Sequence, residues 1–189
     1  HLADWGIHHI DIIRTVMNFD LPSLYQSHGS LEVLKDKITT PDTLYSMMMF
    51  DKCPVARQPR LWGQGDLNPQ YNNGIFFYGA KGTLYASDDK LVLVSGRNGK
   101  QQIMDFPTSD AQKRHVANFV EAVKTKNKAL ISCPIEDAWK STTAVQLAMV
   151  SYYTNSEVKW DNATQTVIDN KAARQQMARA YRKGYTRPV

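Results

Sequence analysis

Apolar residues at Ile7, Ile10, Ile13 and Met17 recur at near-helical spacing and predict a helix over Asp4–Asn18, with these four facing a core. Asp4, His8, Asp11, Thr15 and Asn18 follow the same period and form a polar stripe on another face. From Leu24 the pattern becomes strand-like, with strands predicted over Leu24–Val33 and Thr43–Phe50 and a break at Asp51–Pro54. Arg57–Asn73, rich in Pro, Gly, Asn and Gln, reads as a long loop. Four short β-rich runs follow, over Ile75–Tyr78, Thr83–Ala86, Leu91–Ser95 and Gln101–Phe106. The Gly, Asp and Asn clusters between them imply antiparallel pairing. Ser109 and Gln112 have capping-box spacing before the stripe Val116, Phe119, Val120 and Val123, predicting a helix over Ser109–Lys126. A longer helix is predicted over Ile135–Tyr153 with Pro134 at its start, then a strand over Val158–Trp160 and a last helix over Ala172–Arg182. Strands grouped together and helices grouped elsewhere predict the α+β class, with the antiparallel sheet mostly between Leu24 and Phe106.

Composition leaves that picture intact. The 189 residues suit one domain, and 42% hydrophobic with 22% charged residues is ordinary globular usage. No apolar run approaches the roughly 18 residues of a membrane helix, so no membrane partner is expected. The net charge of +5 is spread over scattered Lys and Arg. The densest basic stretch, Arg174–Arg187, reads as a solvated tail, and no nucleic-acid partner is expected. Cys53 and Cys133 lack zinc-site spacing. The chain opens on His1 inside a motif, so upstream sequence is expected to be missing, which leaves the compartment open between a cytoplasmic default and export.

The sharpest chemistry is in Asp4-Trp5-Gly6-Ile7-His8-His9-Ile10-Asp11. On a helix Asp4, His8 and Asp11 share a face. A carboxylate one turn from an imidazole can orient it and raise its basicity, and such a His can take a hydroxyl proton while a hydride leaves the same carbon. Asp11 and His9 are candidates to hold neighbouring hydroxyls. The plainer alternative is an exposed polar face. A metal site is disfavoured because adjacent His8 and His9 point about 100° apart on a helix. Elsewhere, Glu136 and Asp137 fit a helix start, Met47, Met48 and Met49 fit core or interface packing, and Arg57, Arg60 and Trp62 could reach a sugar. His28 and His115 read as structural, and Asn162-Ala163-Thr164 is a sequon by pattern only. Gly63-Gln64-Gly65 lacks the third glycine of a dinucleotide fingerprint.

Asp4-x-Gly6-x-His8-x-x-Asp11 resembles the motif that opens the C-terminal domain of the Gfo/Idh/MocA oxidoreductases, the glucose–fructose oxidoreductase, inositol dehydrogenase and MocA-like family. The Asp4–His9 wording is similar to one bacterial subgroup. Gly74–Leu84 resembles the family's hairpin. His115-Val116-x-Asn118-Phe119, Pro134-Ile135-Glu136-Asp137 and Ser141-Thr142 resemble the helices that follow, and the match continues through Tyr152–Asp161 to Tyr181-Arg182. The resemblance implies an open, mostly antiparallel sheet backed by helices. It implies a catalytic acid/base at His8 assisted by Asp4, with Asp11 beside the substrate. It further implies a sugar or polyol substrate and a homodimer or larger homo-oligomer formed through the sheet face. NAD or NADP would be held by a preceding Rossmann domain, so this fragment alone is expected to bind none. Relatives that cleave glycosides through a transient ketone, and a non-catalytic carbohydrate-binding or oligomerisation module, stand as alternatives.

Overall fold

The computed structural model describes residues 2–51, 53–63, 68–96, 99–107, 110–178 and 180–186. In chain order its elements are α1 (Trp5–Met17), β1 (Leu24–Ser30), β2 (Thr43–Phe50), β3 (Cys53–Arg57), β4 (Ile75–Gly79), β5 (Gly82–Ala86), β6 (Lys90–Ser95), β7 (Gln101–Asp105), α2 (Ala111–Thr125), α3 (Ile135–Thr154), β8 (Val158–Asp161), β9 (Thr166–Ile168) and α4 (Lys171–Gln176). They divide into two compact units, His1–Gly63 with Ile135–Val189, and Gln64–Pro134.

The class is α+β and every strand pairing within the described residues is antiparallel. The strands fall into two sheets instead of one. The first has the order β3-β2-β1-β8-β9 and the second β4-β5-β6-β7. The free edge of β1 is taken by β8, whose Val158 and Lys159 pair with Tyr25 and Leu24. Strand β9 was not anticipated, since three residues carry almost no periodic signal.

Strand β3 crosses the break expected at Asp51–Pro54. It lies at the sheet edge, where a missing N–H is tolerated, so Pro54 pairs opposite Met49. Strand β1 stops at Ser30, short of Val33. Asp42 is the cause: it is 1% exposed, and its Oδ2 accepts from the backbone N–H groups of Glu32 (3.0 Å), Val33 (2.7 Å) and Leu34 (2.9 Å). Those donors are thereby turned away from the ladder.

In the first unit one sheet face packs on α3. Tyr25, Ser46, Met48 and Phe50 are buried there with Ala144, Val145 and Ala148 of α3. The opposite face carries Tyr45, Met47, Met49, Pro54 and Ala56, with Tyr45 48% exposed. Helix α1 packs on α3, burying Ile10 and Ile13, each worth roughly 1.5–3 kcal/mol. Ile7 is half-buried, but Met17, expected in the core, is 43% exposed.

The second unit is the predicted meander with α2. The β4–β5 hairpin turns through Ala80-Lys81, with Gly79 opposite Gly82. A Cβ at Gly82 would lie 2.3 Å from the carbonyl oxygen of Val94, so only glycine fits against β6. On α2 the stripe Val116, Phe119, Val120 and Val123 is exposed and only Ala122 is buried. Ser109 of the expected capping box lies outside the described residues. The helix follows Asp110, which pairs with Arg114 one turn on at 2.7 Å. Helix α4 ends at Gln176 instead of Arg182, because beyond Ala173 the described residues offer no buried face to hold it.

Candidate functional site

Helix α1 distributes its polar residues over three environments. Asp4 occupies the N-cap position before Trp5, is exposed, and makes no capping hydrogen bond through its side chain. Its carboxylate suits the positive end of the helix. His8 is exposed on the following turn. Its ring meets Trp5 edge-on, with centroids 6.1 Å apart and planes at 69°.

His9, one residue on, turns to β3. Arg57 Nη1 lies 2.6 Å from His9 Nδ1. Arg57 is half-buried, and burial pushes its pKa below the ordinary arginine value. Its Nε is buried without a hydrogen-bond partner. Trp62 stacks with Arg60, whose guanidinium carbon lies 5.7 Å from the indole centroid, and its Nε1 donates to Thr43 Oγ1 at 2.8 Å.

Asp11 faces α3. Its Oδ1 accepts from Ser141 Oγ at 2.6 Å. Ser141 Oγ in turn accepts from Arg14 Nη1 at 2.7 Å, and Arg14 Nη2 meets Asp137 Oδ1 at 2.8 Å. Arg14, 4% exposed, thus links Asp137 to Asp11 through one serine. Asp137, read as a helix-start residue, does sit in the first turn of α3, but its carboxylate is committed to Arg14. Of the four sequence-predicted site residues, Asp4 and His8 are on the open surface, His9 is tied to the sheet, and Asp11 is tied to α3.

Sequence reasoning missed Arg57 as the partner of His9 and missed the Arg14–Ser141–Asp137 chain. These contacts span 48 and more than 120 positions, so no local spacing announces them. The one available signal was Arg14 beside the apolar stripe of Ile7, Ile10 and Ile13.

Among the described residues, two cavities stand out in the first unit. One of about 290 Å³ is walled by Leu2, Ala3, Leu44, Pro59, Leu61 and Met149 among others. The other, of about 410 Å³, involves His28, Tyr152, Tyr153 and Asn155. Neither includes His8. No group of three or more His, Cys, Asp or Glu among the described residues is placed to hold a metal ion. No helix among them is long and apolar enough to cross a membrane. The sequon residue Asn162 uses its side chain internally, donating to Leu21 O at 3.1 Å and accepting from Trp160 Nε1 at 3.0 Å.

Comparison with known proteins bears on this arrangement. A family model described as oxidoreductase family, C-terminal alpha/beta domain, matches residues 1–187. No curated protein matches the chain. Among solved structures, an inositol dehydrogenase homologue from Azotobacter vinelandii, complexed with NADH and myo-inositol, is similar with a TM-score of 0.64 at 13% identity. That match covers 82% of this chain and 48% of the other. An aldose–aldose oxidoreductase from Caulobacter crescentus matches at TM-score 0.57 and 14% identity, covering 82% and 45%. A UDP-N-acetylglucosamine 3-dehydrogenase from Acidithiobacillus ferrooxidans matches at 0.52 and 12%, covering 78% and 45%. The chain spans about half the length of the solved structures it matches.

Proposed function

We propose, on the premise that this chain belongs to the Gfo/Idh/MocA oxidoreductase family as its C-terminal α/β domain, that it forms the substrate side of an NAD(P)-dependent enzyme oxidising a secondary hydroxyl of a sugar or polyol. The observation that carries the reading is His8. It is an exposed imidazole on the second turn of a helix that begins at a carboxylate, Asp4, and is anchored at Asp11 and Arg14 to α3. The solved relatives named for inositol, aldose and nucleotide-sugar substrates support the substrate class.

Oxidation of a secondary alcohol removes a hydride from carbon and a proton from oxygen. A bound nicotinamide cofactor supplies the hydride acceptor. The chain's own part is the proton. His8 takes it from the hydroxyl at a ring nitrogen, with Asp4 at the helix start as its assisting carboxylate. His9 holds a substrate oxygen. Asp11, through Ser141 and Arg14, fixes the roll of α1 and so the direction in which His8 points.

The test is His8→Ala in the complete protein with its substrate, where turnover should fall by roughly 10²–10⁴-fold. An unchanged kcat/KM would remove His8 from the mechanism, and a raised KM with unchanged kcat would make it a binding residue. The same reading includes self-association through the exposed face of the first sheet around Tyr45, Met47 and Met49, since a strand apolar on both faces needs cover on both.

A further inference from the structure

His8 and His9 are the same side chain on neighbouring positions, yet their surroundings give them different chemistry. Arg57 leaves the edge strand β3 and runs under the start of α1. Gly6 makes the room: a Cβ there would lie 2.9 Å from Arg57 Nε, 3.4 Å from its Cδ and 3.1 Å from Leu2 Cδ1. Through that gap Nη1 reaches His9 Nδ1 at 2.6 Å. A guanidinium has only donors, so Nδ1 must offer its lone pair. A ring that accepts at Nδ1 carries its one proton on Nε2 and is neutral, because an imidazolium has no lone pair to give.

We infer that Arg57 is a positioning residue that fixes the tautomer of His9, holding it neutral with its proton on Nε2, and so leaves proton transfer to His8. The glycine of the α1 motif has a matching role, which is to admit the guanidinium. The substrate half of this inference rests on the function proposed above, whereas the tautomer does not.

Nitrogen NMR of the histidine side chains at neutral pH reads the tautomer directly, with the His9 signals identified by their loss in His9→Gln. A free histidine side chain is a mixture of both tautomers and imidazolium under these conditions. His9 is expected to show a single neutral form, protonated at Nε2, with a coupling across the hydrogen bond from the Arg57 N–H to Nδ1. Arg57→Met should abolish the coupling and restore the mixture. Gly6→Ala should do the same by displacing the guanidinium, although alanine is the better helix former. Arg57→Lys keeps one donor and should retain more of the Nε2–H form. An Arg57 that is only structural would change the melting temperature and leave the tautomer where it was in every variant. A substantial fraction of His9 protonated at Nδ1 in the unsubstituted protein overturns the inference, whether or not the variants fold. Failure of the His8→Ala test leaves the tautomer result standing, so the two readings fail separately.

Discussion

Removing Asp137 should cost more than removing the arginine it pairs with. Arg14 is 4% exposed, and its guanidinium is held by Asp137 Oδ1 (2.8 Å), the Asp137 backbone carbonyl (3.1 Å) and Ser141 Oγ (2.7 Å). Asp137→Ala leaves a buried cation with only the carbonyl and the serine. Breaking such a pair from the exposed side costs about 3 kcal/mol, the lower end of the usual range, because the lost carboxylate was itself 48% exposed and partly screened. Arg14→Met fills the space, and Asp137 returns to water. Its cost is about 2 kcal/mol, for hydrogen bonds lost at Ser141 and the Asp137 carbonyl. Once Arg14 is gone Asp137 has no buried partner, so the double variant should cost about 2 kcal/mol as well, a non-additivity of about 3 kcal/mol. Urea unfolding followed by tryptophan fluorescence suits the measurement, since Trp5, Trp62, Trp139 and Trp160 all lie in the first unit. The midpoints should order as Asp137→Ala lowest, with the double variant level with Arg14→Met. Additive single effects within about 0.5 kcal/mol would refute the linkage.

The His8→Ala test of turnover and the His9 tautomer stand beside this as the chemical predictions. Asp42→Ala should lower the unfolding midpoint by freeing the N–H groups of Glu32, Val33 and Leu34 inside the protein. Burial alone would raise the Asp42 carboxyl, but the N–H groups of Leu34, Val33 and Glu32 and the Thr43 hydroxyl together hold it below the usual carboxylate range. Its stabilisation is therefore complete above the unfolded-state pKa of about 3.9 and is lost as pH falls through the lower folded value. Acid unfolding curves of Asp42→Ala should be correspondingly flatter, and a slope equal to the unsubstituted protein's would count against this assignment. Met47→Lys should shift any oligomer towards monomer in light scattering without changing the unfolding midpoint of the monomer, while an unaffected oligomer would place the contact elsewhere.

Elements that announce themselves locally were legible in the sequence. Thr43–Phe50 is bounded as predicted, because an apolar run bracketed by turn residues leaves little choice. The four strands from Ile75 to Asp105 match within a residue or so, since glycine and aspartate mark each turn. Pro54 misled because proline reads as a break until the strand is known to be an edge. The division into two sheets was invisible, as it depends on Val158 finding Tyr25 across more than a hundred residues. The same limit applies to the site. Helical spacing puts His8 one turn after Asp4, whereas the turn of Asp11 towards Ser141 and of His9 towards Arg57 follow only from the fold.

The discontinuity of the first unit governs the order in which the molecule can form. Residues 64–134 interrupt it, and their strands close through turns a few residues long. The first unit cannot close that way. Its α1 waits for α3, which arrives more than a hundred residues later, and β1 stays an open edge until β8 has been made. Ribosomal synthesis therefore presents a hairpin-rich unit ready to fold while the half-built first sheet still exposes Tyr25 and Met48. Closing the long loop that brings Ile135–Asp161 back to residues 5–50 carries the main entropic cost of the first unit, and the contacts of Arg14 with Asp137 and Ser141 depend on that closure.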